Sequence, residues 1–240
     1  MVSLVLSDFF RECTKLSKIP SDLFKNFISV TKPVYLSSFF KQTIIEQIPD
    51  GLLQFFRNSK SVSVSELFYG TKITSIPENL FSGLNIIRAD DCFANTQISE
   101  IPENLFENCH KIKSVGGRYT ESYSDGLFEN CTNLSIVPKN LFKNQLELVN
   151  IGKNISGLFQ NCTNISTDIY LYSRNIDGDL GNGVYNHWIG KQKSPINIWI
   201  YTKNEDGTES KTYQTFKNCK TVHYELNVTN ELNLTLKALD

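Results

Sequence analysis

The sequence predicts a repeat solenoid of short parallel strands joined by helical or 3-10 turns, with a β-rich C-terminal end. Three observations carry that expectation: a recurring Ile-Pro step, phenylalanines spaced in one register, and aliphatic residues five or six, then eight or nine, positions after most of those phenylalanines. Ile-Pro occurs at Ile19-Pro20, Ile48-Pro49, Ile76-Pro77 and Ile101-Pro102, with Val137-Pro138 as a fifth copy, and successive prolines lie 29, 28, 25 and 36 residues apart. Leu-Phe follows at a constant distance in four of the five copies, at Leu23-Phe24, Leu80-Phe81, Leu105-Phe106 and Leu141-Phe142. The second copy is stretched and closes on Phe56-Arg57-Asn58.

Twelve of the 16 phenylalanines, at 10, 24, 40, 56, 68, 81, 93, 106, 128, 142, 159 and 216, fall in that register. Each half-unit reads as a phenylalanine, a tight polar turn and a short strand of the form L-x-x-I. A half-unit of about 13 residues is too short for a whole repeat, whose known periods run from about 20 to 50 residues, so two halves make one coil. Proline ends each strand because it has no N–H to donate, and its fixed φ starts a helical or 3-10 turn. The Leu and Phe of that turn point inward, and since one coil cannot close its own apolar face, stacked neighbours supply the core.

Five of the six cysteines, Cys13, Cys109, Cys131, Cys162 and Cys219, follow a phenylalanine by three residues; Cys92 instead precedes Phe93 directly. Stacked at one position per coil, such thiols act as small hydrophobes, and disulfides are not expected. Without a CxxC pair or a Cys/His cluster, metal binding is not expected either. Asparagines stand before cysteine at 108, 130, 161 and 218, where a tight corner uses a side chain able to bond nearby backbone.

The phrase F-x-N-C-x-x-L-x-x-I-P-x-x-L-F resembles the BspA-type leucine-rich repeat, notably its variant in surface proteins and fibres of gut bacteria and their phages. The likeness runs from about Phe10 to Ile165. It implies a right-handed, exposed solenoid used in adhesion, host recognition or particle decoration. The chain differs from that pattern in starting almost in mid-repeat, which raises the expectation of either a fragment or an N-terminus covered by another subunit, and hence of a homo-oligomer.

Two divisions follow: residues 1–165 as the solenoid, and residues 166–240 as an irregular aromatic-rich segment followed by a β-rich cap or oligomerisation module. Between Phe106 and Phe128 the spacing widens around an insertion, residues 116–126. Insertions map to one face of a solenoid, so Arg118, Tyr119 and Tyr123 are candidate contacts, beside the alternative of a solvated loop. After Phe159, Tyr170, Tyr172, Arg174, His187 and Trp188 gather as candidates for binding a glycan or a protein, beside the alternative of closing the core. Asp177–Gly183 is rejected as a calcium loop because Gly181 and Trp188 stand where ligands are required. Further on, Ile196, Ile198 and Ile200 alternate with Asn197, Trp199 and Tyr201, Asn204–Gly207 supplies a turn, and Thr215–Cys219 is repeat-like.

Lys plus Arg total 24 against 25 Asp plus Glu, a net charge of -1. No strong field draws this chain to nucleic acid. Neither a membrane span nor a signal peptide is legible, and no cofactor is implied. The three histidines have no catalytic company, and Asp90-Asp91 reads as a solvated turn, so no enzyme is expected. The expected function is a structural or adhesive protein at a virion or cell surface, whose partners are other virion or surface proteins or a host glycan or protein. The alternative is an intracellular or secreted protein-binding scaffold. A glycan-active enzyme built from distant carboxylates is the reading from a different class.

Overall fold

The computed structural model describes residues 3–116, 126–153, 156–177, 188–217 and 232–240. It contains two small parallel sheets and few helices. The first sheet orders β1 (Leu4–Val5), β2 (Val34–Tyr35), β3 (Val62–Ser63) and β4 (Ile86–Arg88) side by side, with Leu4, Val34, Val62 and Ile86 in register. A two-stranded antiparallel ribbon, β5 (Gly152–Lys153) and β6 (Ser156–Gly157), follows. The second parallel sheet holds β7 (Ile169–Leu171), β8 (Ile196–Ile200) and β9 (Leu234–Ala238). Isolated parallel bridges join Glu100 to Ile136 and Ser114 to Asn150, between the two sheets in the chain, and Phe159 to Ile189. The buried apolar residues form one cluster that reaches from Ile19 to Leu236.

The phenylalanine register resolves into one column and a second set. Phe10, Phe40, Phe68, Phe93, Phe128 and Phe159 stack in sequence at centroid separations of 5.6–6.0 Å and interplanar angles of 7–10°. The intervening phenylalanines contact one another in two groups, Phe24 with Phe56 at 5.1 Å, and Phe81 with Phe106 at 5.7 Å and Phe106 with Phe142 at 6.2 Å, while Phe81 also touches the first column at Phe93, 5.8 Å away. Alternate phenylalanines therefore pack in different sets. A spacing somewhat above the ~4.8 Å between strands fits rings that are offset, the arrangement their quadrupoles favour.

Each Ile-Pro or Val-Pro step opens a single tight turn. The N–H groups of Leu23, Leu52, Leu80, Leu105 and Leu141 donate to the carbonyls of Pro20, Pro49, Pro77, Pro102 and Pro138 at 3.1–3.3 Å. Two of these turns run on into 3-10 helices, Lys25–Phe27 and Gln54–Phe56. In the first sheet, however, the strands occupy only one half of each unit. The L-x-x-I stretches before proline form no strand, and successive repeats share only scattered hydrogen bonds there, such as Ile44 N–H to Leu16, Lys72 to Ile45 and Gln97 to Ile73. A proline that cannot donate stops the ladder from extending on that side, so the expectation of a strand in every half-unit is corrected.

The turns around the first column are left-handed at two points. Asp8, Ser38, Glu66 and Asp91, two residues before a phenylalanine, have φ of 56–61°. Glu12, Gln42, Gly70, Asn95, Asn130 and Asn161, two residues after one, have φ of 57–66°, and Asn108, two residues after Phe106 of the other set, has φ of 60°. Asparagine recurs at that second point because it tolerates this backbone region better than most residues. Its side chain reaches across repeats rather than locally, with Asn161 Nδ2 donating to Asn130 Oδ1 at 2.7 Å.

Four of the cysteines are packing elements. Cys92, Cys109, Cys131 and Cys162 are buried and free, whereas Cys13 is exposed. Cys109, Cys131 and Cys162 donate from Sγ to the carbonyls of Phe81, Phe93 and Phe128, one repeat earlier, at 2.9–3.1 Å. Thr43, Thr71 and Thr96 occupy the same position, three residues after a phenylalanine, and cap the carbonyl of that phenylalanine at 2.7–2.9 Å. Burial pushes the Cys109 thiol up to about 12 and the Cys131 thiol up to about 11, the latter against an opposing hydrogen bond with Thr96. Cys92 precedes Phe93 as Phe39, Leu67, Leu127 and Leu158 precede theirs, and like them it is buried.

Candidate functional site

The second parallel sheet has one buried face and one outward face. Ile169, Leu171, Ile196, Ile198, Ile200, Leu234 and Leu236 are buried. Tyr170, Asn197, Trp199 and Lys237 alternate with them and face the other way, because successive side chains in a strand point to opposite sides. The register pairs Tyr170 with Trp199 and Trp199 with Lys237, which lines up three outward residues from three distant segments.

This face is aromatic. The Tyr170 and Trp199 rings are parallel to within 2° at 5.7 Å, and Tyr172 stacks on Tyr170 at 6.3 Å and 18°. Lys139 places its Nζ 5.0 Å from the Tyr170 ring centre, and Arg174 places its guanidinium carbon 3.8 Å from that of Tyr201. The Arg174 Nε–H also donates to the Lys203 carbonyl at 2.9 Å, which fixes the guanidinium over the ring.

Asp168 organises the row beside the rings. Its carboxylate accepts from Trp199 Nε1 at 2.9 Å, from the Asn197 backbone N–H at 2.9 Å and from Asn197 Nδ2 at 3.0–3.1 Å. Partial burial works to raise its pKa, but these donors and the charge of Lys237 outweigh it and hold the group below the ordinary aspartate value. With its indole N–H engaged, Trp199 is pinned beside Tyr170. Burial pushes the Tyr170 hydroxyl up, with a further push from Asp168, and burial raises Tyr172 likewise. Both are phenols at neutral pH and present hydroxyl donors.

Three of the residues expected from sequence, Tyr170, Tyr172 and Arg174, meet on this face. Trp188 does not. It is only 1% exposed, follows Phe159 in the first column at 6.5 Å, and meets Phe216 edge-on at 5.7 Å. Its ring therefore closes the core, and its place among contact residues is corrected. Phe216 itself lies in the α-helix α1 (Lys211–Lys217) rather than in a further tight turn. Arg118, Tyr119, Tyr123 and His187 lie outside the described residues.

Sequence reasoning missed Trp199, Tyr201, Lys139, Lys237 and Asp168 as members of the face. The alternation of Ile196, Ile198 and Ile200 already required Trp199 to face away from them. Nothing local, however, signalled that Tyr170 would lie beside it.

The acidic pair is also corrected. Asp90 and Asp91 are 0% and 1% exposed, not solvated. Asp90 accepts from Arg88 at 3.0 Å and from Ser114 Oγ at 2.6 Å, while Asn150 Nδ2 donates to Ser114 Oγ at 3.0 Å. This polar strip joins three repeats around the buried Asp90 and Asn150, which fits a structural role.

Among the described residues no group of three or more His, Cys, Asp or Glu side chains could hold a metal ion, and no helix is long and apolar enough to cross a membrane. At the N-terminal end, Phe9 is 67% exposed and lies in an apolar groove with Leu6, Phe10, Leu23, Phe24 and Phe39. No family model, curated protein or solved structure matches this chain.

Proposed function

We propose that the chain is a non-enzymatic solenoid of the leucine-rich-repeat kind that displays a binding face to a protein or glycan, as a component of a virion or cell surface. The observation that carries this reading is the outward row of Tyr170, Trp199 and Lys237, with Tyr172, Tyr201, Arg174 and Lys139 beside it. Tyrosine, tryptophan and arginine dominate the energy of protein interfaces, since they offer a large apolar area with a polar tip at low entropic cost. Seating them on a sheet whose other face is packed keeps them rigid before a partner arrives, which lowers the cost of binding. The solenoid reading is supported by the phenylalanine stack from Phe10 to Phe159 and by the parallel pairing within the two larger sheets.

Two experiments test the two parts. For the binding face, the chain and a Tyr170→Ala/Trp199→Ala double variant are screened against a glycan array and a displayed peptide library. Ligands recovered by the parent chain are expected to be lost by the variant, and ligands held equally by both would refute the reading. For the solenoid, residues 62–85 are excised so that β2 meets β4. A repeat array tolerates loss of an internal unit and still unfolds cooperatively at a lower temperature; loss of all folded circular dichroism would count against it.

A further inference from the structure

Among the described residues, two cations on the aromatic face have no carboxylate to answer them, while the carboxylates beside them are occupied. Asp168 is held by Trp199, Asn197 and the nearby charge of Lys237, and Asp240 accepts from the Thr202 N–H and Oγ1 at 2.6 Å each. Lys139 and Arg174, seated over Tyr170 and Tyr201, form no ion pair among the described residues. This charge pattern selects an anionic partner.

The rings decide which kind. In chain order, the segments carrying Lys139 and Trp199 flank the strand of Tyr170, since Val137 N–H donates to Thr167 Oγ1 on one side and Ile169 pairs with Ile198 on the other. Tyr170 is thus covered on one face by Trp199 and on the other by the Lys139 ammonium. Sugar rings bind aromatics through an open ring face, which Tyr170 lacks. What it presents outward is its edge and hydroxyl, which suit peptide amides and side chains. Tyr201 lies two residues beyond Trp199, the register partner of Tyr170, so the two cation seats are offset by roughly 7 Å along the strand direction. That offset matches two side chains at alternate positions of an extended peptide, which point the same way.

Resting on the binding face proposed above, we infer that its partner is an extended acidic protein segment bearing carboxylates on alternate residues, one reaching Lys139 and the other Arg174.

The test is fluorescence anisotropy of a labelled Ala-Glu-Thr-Glu-Ala peptide titrated with the full chain, beside its Gln-for-Glu counterpart and a labelled oligogalacturonate. The acidic peptide is expected to bind, to weaken on going from about 0.05 M to about 0.5 M NaCl, and to lose about two- to fivefold in affinity in Lys139→Ala and again in Arg174→Ala. The Gln peptide, which lacks both carboxylates, is expected to bind about 4- to 25-fold more weakly. Equal binding of the Gln peptide, binding of the oligogalacturonate in place of the peptide, or no binding of either overturns this inference. The binding face itself is judged separately: a ligand of any class that loses affinity in Trp199→Ala sustains it, even when the acidic peptide fails.

Discussion

Replacing Phe93 with alanine tests the column directly, because Phe93 sits in its interior. Its ring is wholly buried, stacked between Phe68 at 5.8 Å and Phe128 at 5.6 Å, and tilted against Phe81 at 5.8 Å. Truncating a buried phenylalanine costs about 3–5 kcal/mol from lost transfer and the residual cavity. Each lost aromatic pair adds about 0.5–1.5 kcal/mol beyond area alone, which puts Phe93→Ala at the upper end, about 4–5 kcal/mol.

Phe10 stands at the end of the same column, partly exposed, with one parallel neighbour in Phe40 at 6.0 Å. Full burial of such a side chain is worth about 1.5–3 kcal/mol, so its truncation is expected to cost about 1–2 kcal/mol. In urea unfolding followed by circular dichroism and tyrosine fluorescence, with a slope of about 2.5 kcal/mol/M, the midpoints fall by about 1.8 M for Phe93→Ala and about 0.6 M for Phe10→Ala. Should Phe93→Ala fail to fold, Phe93→Leu gives the same ordering at a smaller cost. Equal losses at the two positions, or a loss below about 1.5 kcal/mol at Phe93, would refute a column that stabilises through its interior.

Four further outcomes follow from the same geometry. Asn130 holds φ at 59°, so Asn130→Ala is expected to cost about 1 kcal/mol and Asn130→Gly to stay within about 0.5 kcal/mol of the parent in thermal unfolding. A Cβ on Gly126 would lie 2.0 Å from the Gly157 carbonyl oxygen. Gly126→Ala is therefore expected to cost at least about 2 kcal/mol, whereas Gly207→Ala, in open space at φ 84°, carries only the backbone strain, about 1–2 kcal/mol. In a Cys13→Ser/Cys219→Ser background the thiols left are the buried Cys92, Cys109, Cys131 and Cys162. With the Cys109 thiol pushed to about 12, labelling by a thiol reagent at pH 8 is expected only at the rate of unfolding, and prompt labelling would contradict the packing. Asp168 has a depressed pKa when folded, so the stability it confers is present above the ordinary aspartate value of 3.8 and is lost as pH falls through the lower folded value. Asp168→Asn is expected to remove that part of the acid dependence, read as the slope of melting temperature between about pH 2 and pH 4.

Much of this fold was legible because its signals are local. The proline that ends a run, the leucine and phenylalanine that follow it, and the asparagine two residues after a phenylalanine each answer to the backbone of their own turn. The strands were read too generously: L-x-x-I before proline has the apolar pattern of a strand, but the missing N–H of the proline prevents a ladder there, and β1 to β4 lie in the other half.

What only the tertiary structure decided was register between distant segments. Tyr170 and Trp199 are 29 residues apart in the chain and meet because β7 and β8 pair in one alignment and not its neighbour. A shift by one residue would have turned Trp199 into the core, since side chains alternate across a strand. The same long-range pairing buried Trp188 in the phenylalanine column and enclosed Asp90 between Arg88 and Ser114. Local sequence sets which side chains a turn can hold. Which of them become neighbours depends on how the intervening segments close, and that is fixed by burial summed over the whole stack rather than by any one repeat.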